Sequence, residues 1–259
     1  MMFLFAMQLM RSLHLALSTY TRLPLPRMDF REEDLTYSMC FFPLAGAMIG
    51  LLFVGWAALS EALQLGNLLR SAGFVLVPLL TTGGIHMDGF LDASDALASW
   101  QPREKKLEIM KDPHMGAFAV IRAGMYLVAM LGIYSKITHA HHALLVALGF
   151  VLSRCLAIAL YNLLPNARGE GMMQRFQQSQ KKPAVLGAAA AFALLAVAAG
   201  ICLSPVNMLL GIFAQFITAL WFYALARKHF GGITGDLTGF FIQVSEFTFA
   251  AITLLLGRL

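Results

Sequence analysis

Residues 81–100, TTGGIHMDGFLDASDALASW, begin at the end of an apolar run and carry one histidine and three aspartates within ten positions. The chain of 259 residues is 59% hydrophobic and only 13% charged, with 20 Phe and 15 Met. A soluble domain of this length could not bury so much apolar surface, so the composition indicates a membrane protein. The quoted stretch therefore marks a place where a membrane chain concentrates its few charges.

Apolar windows long enough to cross a membrane occur seven times along the chain. A transmembrane helix needs about 20 residues to cross a hydrocarbon core of about 30 Å. The windows, of which the second and third are short, are 41–63, 69–85, 117–135, 142–164, 185–203, 206–227 and 238–258. The pattern predicts an all-α fold: a polytopic integral membrane bundle of about seven transmembrane helices, in a single membrane-embedded domain over residues 1–259.

The first 20 residues are also apolar, but they differ from the other windows. They contain Gln8, Arg11 and His14 and lack the small-residue cleavage site of a signal peptide. A retained first spanning helix is an alternative, although a helix lying in the membrane interface fits these polar residues better. We therefore expect an N-terminal interfacial helix in addition to the bundle.

Lysine and arginine residues indicate how the bundle is oriented, because the cytoplasmic loops of membrane proteins are rich in both. The loops that would share one side are 22–40, 86–116, 165–183 and 228–237, and they hold most of the basic residues. The other side keeps Arg70, Lys136 and Arg258, with His139, His141 and His142. We therefore expect the first group of loops to face the cytoplasm. The basic runs lack interleaved aromatic residues, so no nucleic-acid partner is expected.

Three aspartates of the opening stretch, Asp88, Asp92 and Asp95, are spaced i, i+4 and i+7. On a helix this spacing puts all three carboxylates on one face. Like charges at this spacing repel each other, so a cation is expected opposite them. Glycines at 83, 84 and 89 surround His86 and would allow a ligand or a neighbouring helix to approach the backbone closely.

A second acidic segment, LEIMKDPHMGAF at 107–118, places Glu108 and Asp112 four residues apart. We expect them on one helix, which Pro113 and Gly116 end. The five carboxylates of the two segments would then lie together at the mouth of the bundle. Mg²⁺ binds one or two carboxylates together with substrate phosphates, so these oxygen ligands predict a magnesium site. An ordinary solvated acidic surface is the alternative.

Residues 226–240, ARKHFGGITGDLTGF, form a third polar segment, which is rich in glycine. Its backbone N–H groups could hold phosphate oxygens, beside the side chains of Lys228, Thr234 and Asp236. A plain turn between two helices is the alternative.

Three arginines are further candidates for contacts with phosphate. Arg154 lies within an apolar window, where a charged side chain is expensive and normally faces a cavity or a partner. Arg168 begins a basic loop, after Pro165 ends the preceding helix. Arg154 could balance the charge of the aspartates or bind substrate phosphate, as could Arg122 near a helix end, whereas Arg168 is a candidate for a phosphate contact.

Six sequence blocks occur in the order that is typical of one enzyme family. They are TRLPLP at 21–26, FFPLAGAMIG at 41–50, GGIHMDGFLDASDAL at 83–97, LEIMKDPHMGAF at 107–118, LPNARGEGM at 164–172 and GGITGDLTG at 231–239. On these blocks the chain resembles the cobalamin synthases, also called adenosylcobinamide-GDP ribazoletransferases, over nearly its whole length. The resemblance implies an integral enzyme of the bacterial or archaeal cytoplasmic membrane, with its active site on the cytoplasmic side.

The resemblance also implies a reaction that uses Mg²⁺. A ribose hydroxyl of α-ribazole, or of its 5′-phosphate, attacks the phosphorus that bears the cobinamide in adenosylcobinamide-GDP, and GMP leaves. The product is adenosylcobalamin or its 5′-phosphate, so this is the last assembly step of the nucleotide loop in cobalamin biosynthesis.

The acidic pattern is similar to the DxxDG…GxxxDxxxD motif of CDP-alcohol phosphotransferases, which cleave a nucleotide pyrophosphate with an alcohol. The chain departs from that motif at Ala96, where glycine is expected, and at Glu108 and Asp112, where two aspartates are expected. A CDP-alcohol phosphotransferase that acts on a lipid is therefore an alternative function. A cation-coupled membrane transporter is another, although its site should lie near the middle of the bilayer.

The resemblance and the residue pattern together suggest roles for the polar residues. Mg²⁺ would be held by Asp88, Asp92, Asp95 and Asp112. Glu108 would be a further ligand or the general base, and His86 is the competing base. Substrate contacts would come from Arg154, Arg168, Lys228, Thr234 and Asp236. Other expected partners are membrane lipid and, through the small-residue helix 184–200, a second copy of the chain.

Overall fold

Long helices follow the apolar windows of the sequence. The computed structural model describes residues 2–169 and 172–257. Its helices are α1 (Met2–Tyr20), α2 (Leu35–Ser38), α3 (Phe42–Ala62), α4 (Asn67–Thr82), α5 (Ile85–Ala98), α6 (Arg103–Ile109), α7 (Ala117–Tyr134), α8 (Ala140–Leu163), α9 (Met172–Ser179), α10 (Lys182–Leu203), α11 (Pro205–Phe230) and α12 (Gly235–Ala251), with 3₁₀ turns at Glu32–Asp34 and Met39–Phe41 and a π-helical end at Ile252–Leu256. Within these residues no β-strand forms, which confirms the all-α class.

Six of the described helices are long and apolar enough to cross a membrane. They are Glu32–Ala62, which joins the short turns to α3, then α7, α8, α10, α11 and Gly235–Leu256. α4 and α5 pass the same test only as a bent pair, which gives up to seven spans, as predicted. The prediction of one straight helix over window 69–85 was wrong, because α4 ends at Thr82 and the chain turns by 95° into α5.

Two glycines make the corner between α4 and α5. Gly83 and Gly84 have φ angles of 63° and 80°, in the left-handed region that a residue without a Cβ adopts freely. Their N–H groups donate to the carbonyl oxygens of Leu80 and Leu79 and so close the end of α4. Because of this corner, α5 runs across the end of the bundle and its polar face need not enter hydrocarbon.

The N-terminal helix α1 falls outside the group that passes the spanning test. Arg11 Nε lies 2.9 Å from Asp34 Oδ1, and Ser12 Oγ donates to the Asp34 carbonyl at 2.8 Å. These contacts hold α1 against the start of the first span. Its position in the membrane interface stays a prediction.

Small residues bring the central helices close together. A Cβ at Gly46 of α3 would lie 2.5 Å from the Phe150 carbonyl oxygen of α8, and one at Gly50 would lie 3.0 Å from the Ala147 Cβ. Close approach of this kind is how helices gain packing energy in lipid, where no hydrophobic force drives them together. The α3–α8 pair forms the centre of the bundle.

The four loops expected on one side do meet at one end of the bundle. Ala167 N donates to Ile233 O at 3.0 Å, and Lys181 N donates to Thr36 O at 3.1 Å. Arg168 Nη2 reaches the Met110 carbonyl at 3.3 Å, which adds the fourth loop. The shared side is therefore confirmed, whereas its cytoplasmic orientation stays a prediction. Arg258, assigned to the opposite side, lies outside the described residues.

Candidate functional site

The three aspartates of the opening stretch lie on α5, as predicted, and α12 crosses this helix at very short range. A Cβ at Gly89 would lie 2.5 Å from the Asp236 carbonyl oxygen, and one at Gly239 would lie 3.0 Å from the His86 carbonyl oxygen. Only glycines allow the two backbones to approach so closely. The crossing places the first turn of α12, and with it Asp236, beside the acidic face of α5.

We call Asp88, Asp92, Asp95 and Asp236 the acidic cluster. Asp88 is exposed and the other three are partly buried. Arg168 Nη2 lies 2.9 Å from Asp236 Oδ2, so the loop after α8 supplies the cation expected opposite the stripe. Arg168 thus pairs with Asp236, and the cluster of four carboxylates carries an excess of negative charge.

The pKa of Asp92 reports this excess. Burial, followed by the charges of Asp236 and Asp88, raises this pKa to about 6, while Arg168 opposes the rise. An acid whose ionised form is disfavoured in this way gains from any cation bound nearby. The cluster is therefore electrostatically prepared for a positively charged ligand.

Asp95 lies against the start of α7. A Cβ at Gly116 would overlap the Asp95 carboxylate, so a larger residue at this position would displace that side chain. Gly116, expected to end a helix, instead stands at the N-cap of α7. The segment before α7 thereby covers one flank of the acidic cluster.

The second acidic segment does not form the predicted helix. α6 ends at Ile109, before Asp112, so Glu108 and Asp112 do not share a helical face. Glu108 Oε2 pairs with Lys105 Nζ at 2.7 Å, and Asp112 Oδ1 accepts from His114 N at 2.9 Å. Both carboxylates are exposed. The hydrogen bonds from His114 lower the pKa of Asp112, so this carboxylate is stabilised by its own turn.

His86 is a buried histidine, 5% exposed, at the start of α5. Its ring lies 6.4 Å from that of Tyr20 and 6.2 Å from that of Phe42, measured between centroids. Nε2 is buried without a hydrogen-bond partner. Burial lowers the pKa of His86 well below its usual value, so the imidazole is neutral.

Arg154 lies inside the bundle, 1% exposed, and it is paired with Glu246 of α12. Its Nη1 also donates to the Phe150 carbonyl and to Ser153 Oγ, each at 2.9 Å. Ser153 Oγ in turn donates to Glu246 Oε1 at 3.3 Å. We call Arg154 and Glu246 the buried pair. The sequence left open whether Arg154 faces a cavity or a partner, and the structure shows a protein partner, Glu246.

Lys228 and Thr234 belong to the turn between α11 and α12. Lys228 is exposed at the end of α11. Thr234 is 2% exposed, and its Oγ1 accepts from Leu237 N at 3.1 Å, which makes it the N-cap of α12. Gly231 has a φ of 70° and ends α11. This part of the glycine-rich segment therefore shapes the turn that positions Asp236.

Two cavities meet at Asp88. The larger, of about 870 Å³, lies between the end of α1, the Gly83–Gly84 corner and α5, and Arg22 is in its wall. The smaller, of about 220 Å³, lies between α1, α5, α8, α9 and α12. Residues Thr19, Ile85 and Asp88 line both. The arrangement offers two binding spaces with a carboxylate between them.

Two features of the site escaped the sequence interpretation. The side chain of Arg22 packs over Gly83, and its backbone N–H donates to the Thr81 carbonyl at 2.7 Å. In the sequence, Arg22 is one of several loop arginines. The α5–α12 crossing depends on Gly89 meeting a residue about 150 positions later in the chain. A glycine at position 89 indicated a close contact with the backbone, but it did not identify the helix that makes this contact.

The chain matches known proteins over nearly its whole length. The family model described as cobalamin-5-phosphate synthase matches residues 12–254. A protein of Lachnoclostridium phytofermentans named adenosylcobinamide-GDP ribazoletransferase is 36% identical over 93% of this chain and 92% of its own length. Proteins of the same name from Desulfitobacterium hafniense and Brevibacillus brevis are 33% and 32% identical, over 93% and 89% of this chain and 95% and 92% of their own lengths. No solved structure matches the chain significantly.

Proposed function

The chain belongs to the cobalamin-5-phosphate synthase family, and from this membership we propose that it is an adenosylcobinamide-GDP ribazoletransferase. It joins α-ribazole, or its 5′-phosphate, to adenosylcobinamide-GDP and releases GMP. The observation that carries the proposal is the position of Asp88 in the shared wall of two cavities, near Asp236, which pairs with Arg168. A transfer between two substrates needs two binding spaces that meet at the reacting atoms.

The acidic cluster fits Mg²⁺ by the chemistry of its donors. Among the described residues no group of three or more His, Cys, Asp or Glu side chains lies close enough together to hold a metal ion. Mg²⁺ does not need such a group, because it is held by one or two carboxylates together with phosphates and water. The oxygen-only donors and the excess of negative charge suit this ion, and one or two of Asp88, Asp92 and Asp95 would hold it together with the substrate phosphates. When bound, it would neutralise charge on the diphosphate.

The residues of the chain supply the rest of the chemistry. A new bond forms between the ribose oxygen and the phosphorus that bears the cobinamide, and the bond from this phosphorus to the GMP oxygen breaks. Arg168 offers N–H donors to the phosphoryl oxygens, on which negative charge must be neutralised. Asp236, at the rim of the smaller cavity, accepts a hydrogen bond from the attacking ribose hydroxyl, orients it and takes its proton as the new bond forms.

The site would lie at the cytoplasmic face of the membrane. The loops that surround it carry most of the lysines and arginines of the chain. Substrates that bear GDP and phosphate cannot enter hydrocarbon, so they must arrive from water. A transporter is not favoured, because its carboxylates should lie at mid-bilayer, and the relatives that match carry the transferase name rather than that of a lipid phosphotransferase.

Turnover by the purified full-length protein in lipid nanodiscs tests the proposal. Adenosylcobinamide-GDP and α-ribazole are supplied across a Mg²⁺ titration, and cobalamin and GMP are quantified by mass spectrometry. We expect Mg²⁺-dependent product from the wild type. Asp92→Asn should lose it, whereas the matched control Asp29→Asn, in the exposed segment before α2, should keep it. Absence of product from the wild type would refute the function, and normal turnover by Asp92→Asn would refute the metal site alone.

A further inference from the structure

We infer that the smaller cavity binds the flat heterocycle of the acceptor nucleoside, with Nε2 of His86 as its one polar partner. The inference rests on the proposed function and assigns one part of one substrate to a specific wall of the site. It follows from the shape of the cavity, its polar atoms and its position relative to Asp88.

The inner wall of the smaller cavity is mostly aromatic and buried. Its buried members include Phe42, His86, Tyr161 and Phe176, which are 1 to 6% exposed. Its rim carries Asp88 and Asp236, which are more accessible to solvent. A ring system can therefore enter with its faces against aromatic walls while a polar sugar remains at the carboxylates.

Three hydroxyl groups of the wall are hydrogen-bonded within the protein, whereas a buried ring nitrogen is not. Tyr20 Oη donates to Met39 Sδ at 3.6 Å, and Tyr161 Oη donates to the Met173 carbonyl at 2.9 Å. Thr238 Oγ1 donates to the Thr234 carbonyl at 2.9 Å. His86 Nε2 is buried and has no partner. Buried polar atoms are almost always hydrogen-bonded, so a ligand atom that reaches Nε2 would complete its hydrogen bonding.

Size and polarity decide which substrate fragment fits. The cavity of about 220 Å³ is smaller than the ~300–1,000 Å³ of sites for drug-sized ligands, so it suits a ring system rather than a whole nucleotide. Guanine has donors and acceptors along two edges, and this wall would leave most of them unpaired. The benzimidazole of ribazole, once joined to ribose, presents a single free ring nitrogen, and that nitrogen can accept from Nε2–H of His86.

The other substrate then belongs in the larger cavity. Its volume of about 870 Å³ and the cationic side chain of Arg22 suit a bulky group that carries a diphosphate. Because Asp88 lines both cavities, the ribose hydroxyl and the diphosphate would meet beside it. The two cavities thus sort the substrates by polarity.

Steady-state kinetics with both substrates test the inference. We expect His86→Phe, which keeps a ring of similar size, to raise the KM for α-ribazole about tenfold, the loss expected for one hydrogen bond. The KM for adenosylcobinamide-GDP should change less than twofold. His86→Gln keeps an N–H donor and should recover part of the loss. His141→Phe, at the opposite end of the bundle, is the matched control and should behave as the wild type.

A substrate analogue provides a test that does not depend on a variant. The riboside of indole has the shape of the benzimidazole riboside but lacks the free ring nitrogen. Its KM with the wild type should be about tenfold higher than that of the benzimidazole riboside, and His86→Phe should not raise it further. Equal KM values for the two ribosides, or equal changes in both substrate KM values in His86→Phe, would overturn the inference while the transferase activity stands.

Failure of the proposed function itself would look different. In that case the wild type would form no cobalamin from either riboside. Fluorescence titration of the wild type and His86→Phe with α-ribazole alone then decides the inference. Tenfold weaker binding by the variant supports the base-binding cavity, and equal binding overturns it.

Discussion

The acidic cluster and the buried pair are two groups of charged residues that differ in charge balance. In the buried pair, the arginine and the glutamate enclose each other and share their remaining hydrogen bonds with Ser153 and a backbone carbonyl. In the acidic cluster, four carboxylates lie together at the end of the bundle, and Arg168 pairs with Asp236. A balanced, enclosed pair indicates a role in structure, whereas an excess of one charge beside open cavities indicates a ligand of the opposite charge.

The largest expected effect tests whether the buried pair has a role in structure. Arg154→Ala leaves Glu246 without its partner inside the membrane, which should lower the free energy of unfolding by about 3–5 kcal/mol. The midpoint of thermal unfolding in detergent measures the loss. The double variant Arg154→Met with Glu246→Met removes both charges and should recover most of it. A stable single variant that loses only turnover would contradict the assignment and make Arg154 a substrate contact, as the sequence suggested.

Asp92→Asn tests whether the acidic cluster has a role in function. It keeps the shape of the side chain but removes one negative charge from the cluster, so turnover should fall about a hundredfold, or about 2.7 kcal/mol of transition-state stabilisation. Its unfolding midpoint should stay at or above that of the wild type, because a repelled charge has gone. Loss of activity accompanied by loss of stability would remove the contrast with the buried pair.

Gly89→Ala tests whether the α5–α12 crossing assembles the cluster. The new Cβ would meet the backbone of Asp236 at 2.5 Å, so the helices must separate. The expected cost is about 1–3 kcal/mol in unfolding free energy, together with reduced turnover. Gly132→Ala is the matched control, because a Cβ there meets nothing within 4 Å. Equal behaviour of the two variants would mean that the close crossing is dispensable.

The pH dependence of stability sharpens the comparison further. The pKa of Asp92 in the folded protein is about 6, above its ordinary value of 3.8. The folded state therefore binds this proton more tightly than the unfolded state, and the stability of the metal-free protein falls as the pH rises towards 6. Asp92→Asn lacks this dependence. Its unfolding midpoint in EDTA should exceed that of the wild type by roughly 2–4 °C at pH 7.5, and the difference should shrink at pH 5.

The smallest effects are expected for Glu108→Gln and Asp112→Asn. Both carboxylates are exposed and bonded within their own segment, to Lys105 and His114. Exposed pairs of this kind contribute little, so turnover should change less than about twofold in either variant. A tenfold loss in kcat at saturating Mg²⁺ would instead place segment 108–112 in the site, as the motif pattern predicted.

The sequence predicts the spans well because each depends on a local property. The windows 117–135 and 142–164 differ from α7 and α8 by at most two residues at each end. Hydropathy over about 20 residues measures the cost of transfer into lipid, and that cost does not depend on the neighbouring helices. The bend after Thr82 was missed, since hydropathy reports how apolar a segment is and not its direction.

The site was only partly predictable, because a sequence shows local spacing but not the contacts between distant residues. The helical spacing of Asp88, Asp92 and Asp95 is local, and the structure puts all three on α5. The partner of Arg154 lies 92 residues away, so an intramembrane arginine signalled a partner without identifying it. Asp112 shows the reverse error, because its four-residue spacing from Glu108 implied a shared helix, and that helix ends before Asp112.

The corner at Gly83 and Gly84 also separates the tilt of α4 in the lipid from the position of the acidic helix α5. A spanning helix changes its tilt when the membrane becomes thinner or thicker. A change in the tilt of α4 need not move α5, because α5 is held to α12 through the crossing at Gly89. We therefore expect the geometry of the carboxylates to depend little on the thickness of the surrounding membrane, and turnover to be similar in bilayers of different acyl-chain length.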